Sequence, residues 1–289
     1  SLSEKIRKDT VMLSDGAWGT RLQAKGLKAG ECAELWNAEH PERVQAVAEE
    51  FINAGAQLVK TNSFGGSRYK LEGYGLEKRV SELNEKAAQC SRRAAGTDVY
   101  VLGSVGPTGR MLITGEVTED DLFGAFSEQA KALERGGADV ILVETMSDLQ
   151  EAIIAVEAVK DATNCEIICT MTFEQTVDNE YKTMMGIAPA QMVTALRDSG
   201  VSFLGSNCGN GIKQMTPIVK EIRSLESGMP VVIHANAGMP VLKNGKTVFP
   251  ETPDEMAGYV SGLVQAGANI IGGCCGTTPE HIRKMKENL

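Results

Sequence analysis

The sequence predicts one α/β domain over residues 1–289, a TIM-type barrel of eight β/α units. Eight short apolar runs alternate with longer amphipathic stretches, and such runs are typical of parallel strands covered on both faces. Small and polar residues follow these runs, at the C-terminal rim where barrels carry their active sites. The predicted strands are residues 11–14, 57–60, 99–102, 140–143, 167–169, 202–205, 231–233 and 269–271.

Helix start and stop signals lie between the predicted strands. Thr118 precedes three acidic residues, and Thr252 precedes a proline, as at capped helix starts. Gly55 and Gly267 follow helical stretches directly before a strand, the usual place for a left-handed stop. An open doubly wound sheet is the alternative for alternating strands and helices. It is disfavoured because no strand–GxGxxG–helix phrase occurs near the N-terminus.

Composition excludes several classes of partner. The 29 Lys+Arg and 38 Asp+Glu give a formal charge of −9, which argues against nucleic acid or an anionic membrane as the main partner. No apolar run approaches the roughly 20 residues of a membrane span, and the N-terminal stretch lacks the apolar core of a signal peptide. Seven cysteines in such a chain indicate reduced thiols, so we expect a cytoplasmic protein.

Three cysteines follow predicted strands. Cys208 follows the sixth strand, and the vicinal pair Cys274 and Cys275 follows the eighth within a glycine-rich frame. In a closed barrel these thiols can converge on Zn²⁺ at the C-terminal mouth and leave one position open, as in catalytic zinc sites. Both members of the pair can ligate only if the strand ends and turns there. The alternative is small core residues, the commonest role of cysteine. The other four cysteines share no rim position and are interpreted as structural: Cys32, Cys90, Cys165 and Cys169.

Polar residues at other strand ends are candidates for substrate binding. Glu144 ends the fourth strand, and Asp15 ends the first; either carboxylate could pair with a substrate ammonium. Asp15-Gly16 is also an ordinary turn pair. Backbone N–H groups of Gly16 and Ala17 are candidate donors to a substrate carboxylate. The remaining candidates are Thr61, Asn62, Ser206 and Asn236, of which the last two are also expected to hold thiolate geometry.

Eight short phrases follow the predicted strands in order. They are DGAWGT (15–20), TNSFG (61–65), GSVGP (103–107), VET (143–145), MTF (171–173), GSNC (205–208), NAG (236–238) and GCCGTTP (273–279). Together they resemble the homocysteine S-methyltransferase family over essentially the whole chain. Within that family the chain is most similar to the homocysteine-binding module of cobalamin-dependent methionine synthase.

The resemblance implies a zinc-dependent methyltransferase that transfers a methyl group to the thiolate of homocysteine and forms methionine. Cys208, Cys274 and Cys275 match the zinc ligands, and homocysteine sulfur takes the fourth position. Asp15 and Glu144 match positions that serve the substrate and are the candidate catalytic residues. Because metal coordination releases the thiol proton, the transfer step needs no general base on the protein.

The methyl donor is left open by the sequence. Thr145 and Met146 follow Glu144, where some family members with other donors have an aromatic residue. This favours a methylcobalamin-type donor on a separate corrinoid protein or module; S-methylmethionine, betaine or a different thiol acceptor are alternatives. A hypothesis of another class is a non-catalytic barrel that stores zinc or senses oxidation through vicinal thiols. It does not require Asp15, Glu144 and Asn236 around one mouth.

Overall fold

A computed structural model describes residues 1–6, 10–243 and 245–289. The predicted barrel is confirmed, because eight parallel strands alternate with helices along the chain. The barrel strands are β1 (Met12–Leu13), β2 (Leu58–Lys60), β3 (Tyr100–Val105), β4 (Val140–Met146), β5 (Glu166–Met171), β6 (Phe203–Gly211), β7 (Val231–Asn236) and β8 (Ile270–Gly273).

The strand order is β1-β8-β7-β6-β5-β4-β3-β2. A single parallel bridge between Ser14 and Leu58 brings β2 back to β1, so the sheet is nearly closed. All eight C-terminal strand ends therefore surround one mouth. Two small antiparallel hairpins lie in the loops after β5 and β7. The loop after β5 pairs Glu174–Gln175 with Tyr181–Lys182, and the loop after β7 pairs Val241–Lys243 with Lys246–Val248.

The helices around the barrel begin and end where the sequence signals indicate. Thr118 accepts a hydrogen bond from the backbone N–H of Asp121, whose carboxylate in turn accepts from the Thr118 N–H. Gly55 and Gly267 end their helices with φ of 110° and 107°. The barrel helices are α1 (Pro41–Ala54), α2 (Val80–Ala95), α3 (Glu119–Arg135), α4 (Leu149–Ala162), α5 (Pro189–Leu196), α6 (Ile212–Leu225), α7 (Val260–Ala266) and α8 (Pro279–Glu287). Shorter α-helices span Leu2–Lys5, Trp18–Ala24, Trp36–Glu39, Arg68–Glu72 and Pro253–Ala257, and short 3₁₀ helices span Ala33–Leu35, Glu77–Arg79 and Leu112–Thr114.

The barrel interior is apolar near the N-terminal strand ends and polar near the mouth. One buried cluster fills the lower part and includes Leu2, from the short helix at the start of the chain. The backbone N–H of Leu2 donates to Glu166 Oε2 at 2.5 Å, which anchors that helix below the barrel. Alternate residues of a strand share a face, so the next inward positions lie closer to the mouth. Several of these are buried polar side chains: Ser14, Lys60, Ser104, Thr170 and His234.

Within the described residues, the helices include none that combines the length and the apolar character needed to cross a membrane.

Candidate functional site

The three cysteines predicted as metal ligands lie together at the C-terminal mouth. Their Sγ atoms are all within 4.8 Å of one another, and the Sγ atoms of Cys208 and Cys275 are 3.9 Å apart. Two sulfurs on a tetrahedral zinc, each at about 2.3 Å from the metal, are separated by about 3.8 Å. The separation of Cys208 and Cys275 therefore fits two sulfurs on one zinc, and Cys274 completes a cysteine triad close enough for a three-sulfur site.

A bulge in β6 turns Cys208 towards the mouth. The pairing of β6 with β7 shifts register between Asn207 and Gly211, and Cys208 has a left-handed φ of 58°. Such a backbone costs about 1–3 kcal/mol for a residue other than glycine and is found mainly at functional sites. The sequence had indicated a ligand here but not the bulge that presents it.

The vicinal pair lies in a turn that starts where β8 ends, as predicted from the sequence. The Cys274 N–H donates to Ala235 O at 2.7 Å, and the Cys275 N–H donates to Asn236 Oδ1 at 3.0 Å. Thr277 Oγ1 donates to Cys274 O at 2.7 Å and accepts from the Ala17 N–H at 3.1 Å. The turn is therefore held on both sides by hydrogen bonds.

Gly273 leaves no room for a side chain beneath this turn, because an added Cβ would lie 2.2 Å from Thr277 Oγ1. We expect Gly273→Ala to lower the free energy of unfolding by about 1–3 kcal/mol, as overpacking does, and to weaken zinc binding by displacing Thr277. Denaturant unfolding and zinc titration measure both effects. Gly262→Ala in α7 is the control, because its Cβ would meet nothing within 4 Å. Unchanged stability and zinc affinity in Gly273→Ala would contradict the packing argument.

The three thiols alter one another's pKa values. The thiols of Cys274 and Cys275 act as hydrogen-bond partners that lower the pKa of Cys208, while Cys208 raises the pKa values of Cys274 and Cys275. The amide of Asn236 also lowers the pKa of Cys208. A bound cation would favour deprotonation of all three thiols.

A cavity of about 440 Å³ opens beside the triad. Five of the predicted binding residues line it: Gly16, Ala17, Thr61, Asn62 and Glu144.

Two of these residues, Thr61 and Asn62, are bonded to the protein. The amide of Asn62 donates to Ala33 O and Asn37 Oδ1, and Thr61 Oγ1 accepts from the Ser104 N–H. These two side chains therefore shape the rim through bonds to the protein. The cavity is also lined by residues for which no role was predicted from the sequence, among them Glu34, Lys60, Ser104 and Phe249.

Glu144 points into the cavity from β4. The pairing of β4 with β5 shifts register between Val143 and Met146, and Thr145 has a φ of 63°. Glu144 Oε1 accepts a hydrogen bond from Ser104 Oγ at 2.5 Å. Burial raises the pKa of Glu144, and the positive charge of Lys60 and the Ser104 hydrogen bond partly oppose that increase. The carboxylate is therefore placed to receive a cationic group of a ligand.

Asp15 does not reach the cavity in this arrangement. Its side chain is fully buried, and its Oδ2 accepts from Trp18 Nε1 at 2.6 Å and from the Lys60 backbone N–H at 2.8 Å. Its Oδ1 is 3.3 Å from Lys60 Nζ. A substrate contact was predicted for Asp15, whereas in this geometry its carboxylate is occupied by Trp18 and Lys60 and does not line the cavity.

Ser206 and Asn236 also lie outside the cavity lining. Ser206 is fully buried and shares with Leu204 the outward face of β6, since Phe203 packs inside the barrel and successive side chains alternate. Direct substrate contact predicted for Ser206 is thus not available in this geometry. Asn236 instead accepts a hydrogen bond from the Cys275 N–H, and its amide lowers the pKa of Cys208, so it lies beside two of the three thiols.

His234 is buried on the inner face of β7, and neither ring nitrogen has a hydrogen-bond partner in the described structure. Burial, followed by the charge of Lys60, holds the pKa of His234 well below its usual range. The unfolded chain binds a proton near pH 6.5 that the folded chain does not, so stability falls as pH drops below that value.

We therefore expect the free energy of unfolding of the wild type to decrease between pH 6.5 and 5 more steeply than that of His234→Gln. The difference is at most about 1.4 kcal/mol per pH unit. Urea unfolding at several pH values measures it, and the partly exposed His40 supplies the control variant His40→Gln. Parallel curves for wild type and His234→Gln would refute this assignment.

The fold and the site together define a class of protein: a β/α barrel in which three thiols converge beside a cavity. Residues 12–289 match the family model described as homocysteine S-methyltransferase, and the chain belongs to that family. The resemblance carried by the eight phrases is thereby confirmed. Members of this family, including the relatives described next, are methyltransferases.

Two curated relatives are named methionine synthase. The protein from Mycobacterium tuberculosis (strain ATCC 25618 / H37Rv) is 33% identical over 95% of this chain, and that from Mycobacterium leprae (strain TN) is 32% identical over 95%. The alignment covers 24% of each relative, so the chain spans about a quarter of their length.

A solved structure with the same fold is the homocysteine methyltransferase MmuM from Escherichia coli. Its metallated form gives a TM-score of 0.80 at 26% identity, covering 98% of this chain and 97% of that one. Its oxidized form gives a TM-score of 0.78 at 26% identity, covering 96% of both chains.

Proposed function

We propose that this barrel is a zinc-dependent S-methyltransferase that methylates the thiolate of homocysteine to give methionine. The observation that carries the proposal is the convergence of Cys208, Cys274 and Cys275 within 4.8 Å beside a cavity lined by Glu144. Membership of the homocysteine S-methyltransferase family supports it. The similarity to a homocysteine methyltransferase solved in a metallated form also supports it.

The donor set fits zinc. Three thiolates are soft ligands that suit Zn²⁺, and a set of three protein ligands leaves one position for an external sulfur. Bound zinc would lower the pKa of a thiol in that position, so that the acceptor is held as the thiolate. Asn236 and Thr277 keep the sulfurs in place through the hydrogen bonds described above.

Glu144 binds the substrate ammonium in this proposal. Its carboxylate is buried and held by Ser104, so little side-chain freedom is lost when an ammonium pairs with it. Gly16 and Ala17 line the cavity wall, and the proposal places the amino-acid end of the substrate against them. Thr61 and Asn62 form part of the cavity rim. Asp15 accepts a hydrogen bond from the backbone N–H of Lys60, which lines the cavity.

During methyl transfer, the substrate sulfur forms a bond to the methyl carbon while the bond between that carbon and the donor breaks. The donor leaves with the bonding electron pair, and the sulfur loses its negative charge. No proton moves in this step. The buried carboxylates of Asp15 and Glu144 therefore serve binding and orientation, as distinct from general-base catalysis.

The donor in this proposal is a methylated corrinoid, carried on another module or on a separate protein. Two relatives named methionine synthase are about four times as long as the matched region, which is consistent with additional parts that this chain does not represent. Thr145 and Met146 beside Glu144 favour the same donor. S-methylmethionine and betaine remain the alternatives.

The decisive experiment combines metal analysis with zinc X-ray absorption. The purified protein is expected to bind one zinc with three sulfur neighbours, and homocysteine is expected to add a fourth. Methionine formation is then measured with methylcobalamin, a methylated corrinoid protein, S-methylmethionine and betaine. Unchanged sulfur coordination together with no methionine from any donor would exclude the methyltransferase and favour a zinc-storing or thiol-sensing barrel.

A further inference from the structure

The floor of the cavity carries an ammonium group that belongs to the protein itself. Lys60 ends β2, points into the barrel and is 6% exposed. Its Nζ is 3.3 Å from Gly273 O and 3.3 Å from Asp15 Oδ1. Because a lysine ammonium has three N–H donors, these two contacts leave one donor for a ligand in the cavity that Lys60 lines.

The side chains that line the cavity include more acidic than basic groups. Among the described residues that line it, Lys60 is the only cation, whereas Glu34 and Glu144 are acidic. A cysteine triad that holds one zinc as three thiolates would add a further net negative charge. An amino-acid thiol that binds in this acidic cavity carries a carboxylate with it. A buried carboxylate needs a cation or several hydrogen-bond donors as partners.

The backbone donors expected from the sequence are only partly available. The Ala17 N–H already donates to Thr277 Oγ1 at 3.1 Å, in the bond that steadies the turn of the vicinal cysteines. A carboxylate that captured this donor would compete with that turn. Lys60 offers a charged donor without such a cost.

We propose that Lys60 binds the α-carboxylate of the thiol substrate while Glu144 binds its α-ammonium, so that the cavity floor recognises the zwitterion as a pair of opposite charges. The inference rests on the proposed function, which supplies the amino-acid thiol. Asp15 is the positioning residue, because it accepts the Lys60 backbone N–H and lies beside its Nζ.

The charge state of Lys60 agrees with this role. Burial alone lowers the pKa of Lys60, but the carboxylates of Asp15 and Glu144 outweigh burial, and the pKa lies above its usual value. Lys60 therefore stays protonated over the range in which proteins are studied, and it presents a permanent cation to the substrate.

Isothermal titration of the zinc-loaded protein with three thiols tests the assignment. They are homocysteine, its decarboxylated analogue aminopropanethiol, and its deaminated analogue mercaptobutyrate. Lys60→Met is expected to lower the preference for homocysteine over aminopropanethiol by at least about tenfold, the lower bound for losing a hydrogen bond to a charged group. Glu144→Gln is the matched control and is expected to lower the preference for homocysteine over mercaptobutyrate instead.

Because Lys60→Met leaves Asp15 without its buried partner, the double variant Lys60→Met/Asp15→Asn is measured alongside it, with thermal unfolding of each. An unchanged preference in both variants would refute carboxylate binding by Lys60. So would tighter binding of homocysteine, which would show that Lys60 occupies the position of the substrate ammonium. If wild-type zinc protein binds none of the three thiols, the proposed function itself fails and the assignment of Lys60 fails with it.

Discussion

Replacing Cys208 with alanine is expected to abolish zinc retention while the barrel remains folded. A zinc site of four ligands is worth roughly 10–16 kcal/mol, so one thiolate contributes about 2.5–4 kcal/mol, a factor of about 70 to 900 in affinity. The backbone at Cys208 has a φ of 58°, a conformation that alanine and cysteine find similarly unfavourable. The substitution is therefore expected to lower the affinity for zinc and to change the stability of the metal-free protein little.

Zinc content after dialysis against a weak chelator measures this effect, and far-ultraviolet circular dichroism verifies the fold. Cys169→Ala is the matched control, because Cys169 is buried in β5 and is not part of the triad. It is expected to keep its full zinc content. A full complement of zinc in Cys208→Ala would contradict the ligand assignment.

Replacing Glu144 with glutamine is expected to weaken homocysteine binding about 10- to 100-fold. Glutamine keeps the shape of the side chain and an oxygen that can accept from Ser104 Oγ. It removes the negative charge, and a hydrogen bond to a charged group is worth about 1.5–3 kcal/mol. The effect is expected mainly in the KM for homocysteine, since Glu144 binds the end of the substrate that does not react.

Glu34→Gln provides the comparison for Glu144→Gln. Glu34 lines the same cavity, but its Oε1 accepts from the Gly65 N–H at 2.7 Å and thus supports a loop. If the two variants raised the KM equally, the general negative charge of the cavity would explain the result, and the specific pairing with Glu144 would be disproved. Zinc content is measured in both variants to exclude an indirect effect on the metal.

The barrel could be predicted because its signals are local. Apolar runs, capping residues and glycine stops each depend on a few neighbouring residues, and all eight predicted strands are present. The least accurate boundaries were C-terminal ones, since β6 extends to Gly211 and β7 to Asn236. Backbone hydrogen bonding between strands continues there through residues whose side chains are polar or small. A pattern of apolar residues does not reveal this part of a strand.

The candidate metal ligands could be predicted from the sequence, whereas the direction in which several neighbouring side chains point could not. The glycine-rich frame signals a turn beside Cys274 and Cys275, whereas the face on which Ser206 lies depends on a register that only the assembled sheet defines. Lys60 could have been found by the rule that selected Glu144, because each is a charged residue at the end of an apolar strand. A lysine at such a position is usually solvated, and its burial here follows from the closure of the barrel.

The hydrogen bond from the Ala17 N–H to Thr277 Oγ1 joins positions separated by 260 residues. Contacts between such distant positions form late in folding, because the entropy of closing the intervening loop must be overcome first. The turn that carries Cys274 and Cys275 is thus completed only when the first and last strands have met. Metal uptake by the complete triad would then report on the final stage of folding, and the rate of zinc incorporation into refolding protein would follow the rate of barrel closure.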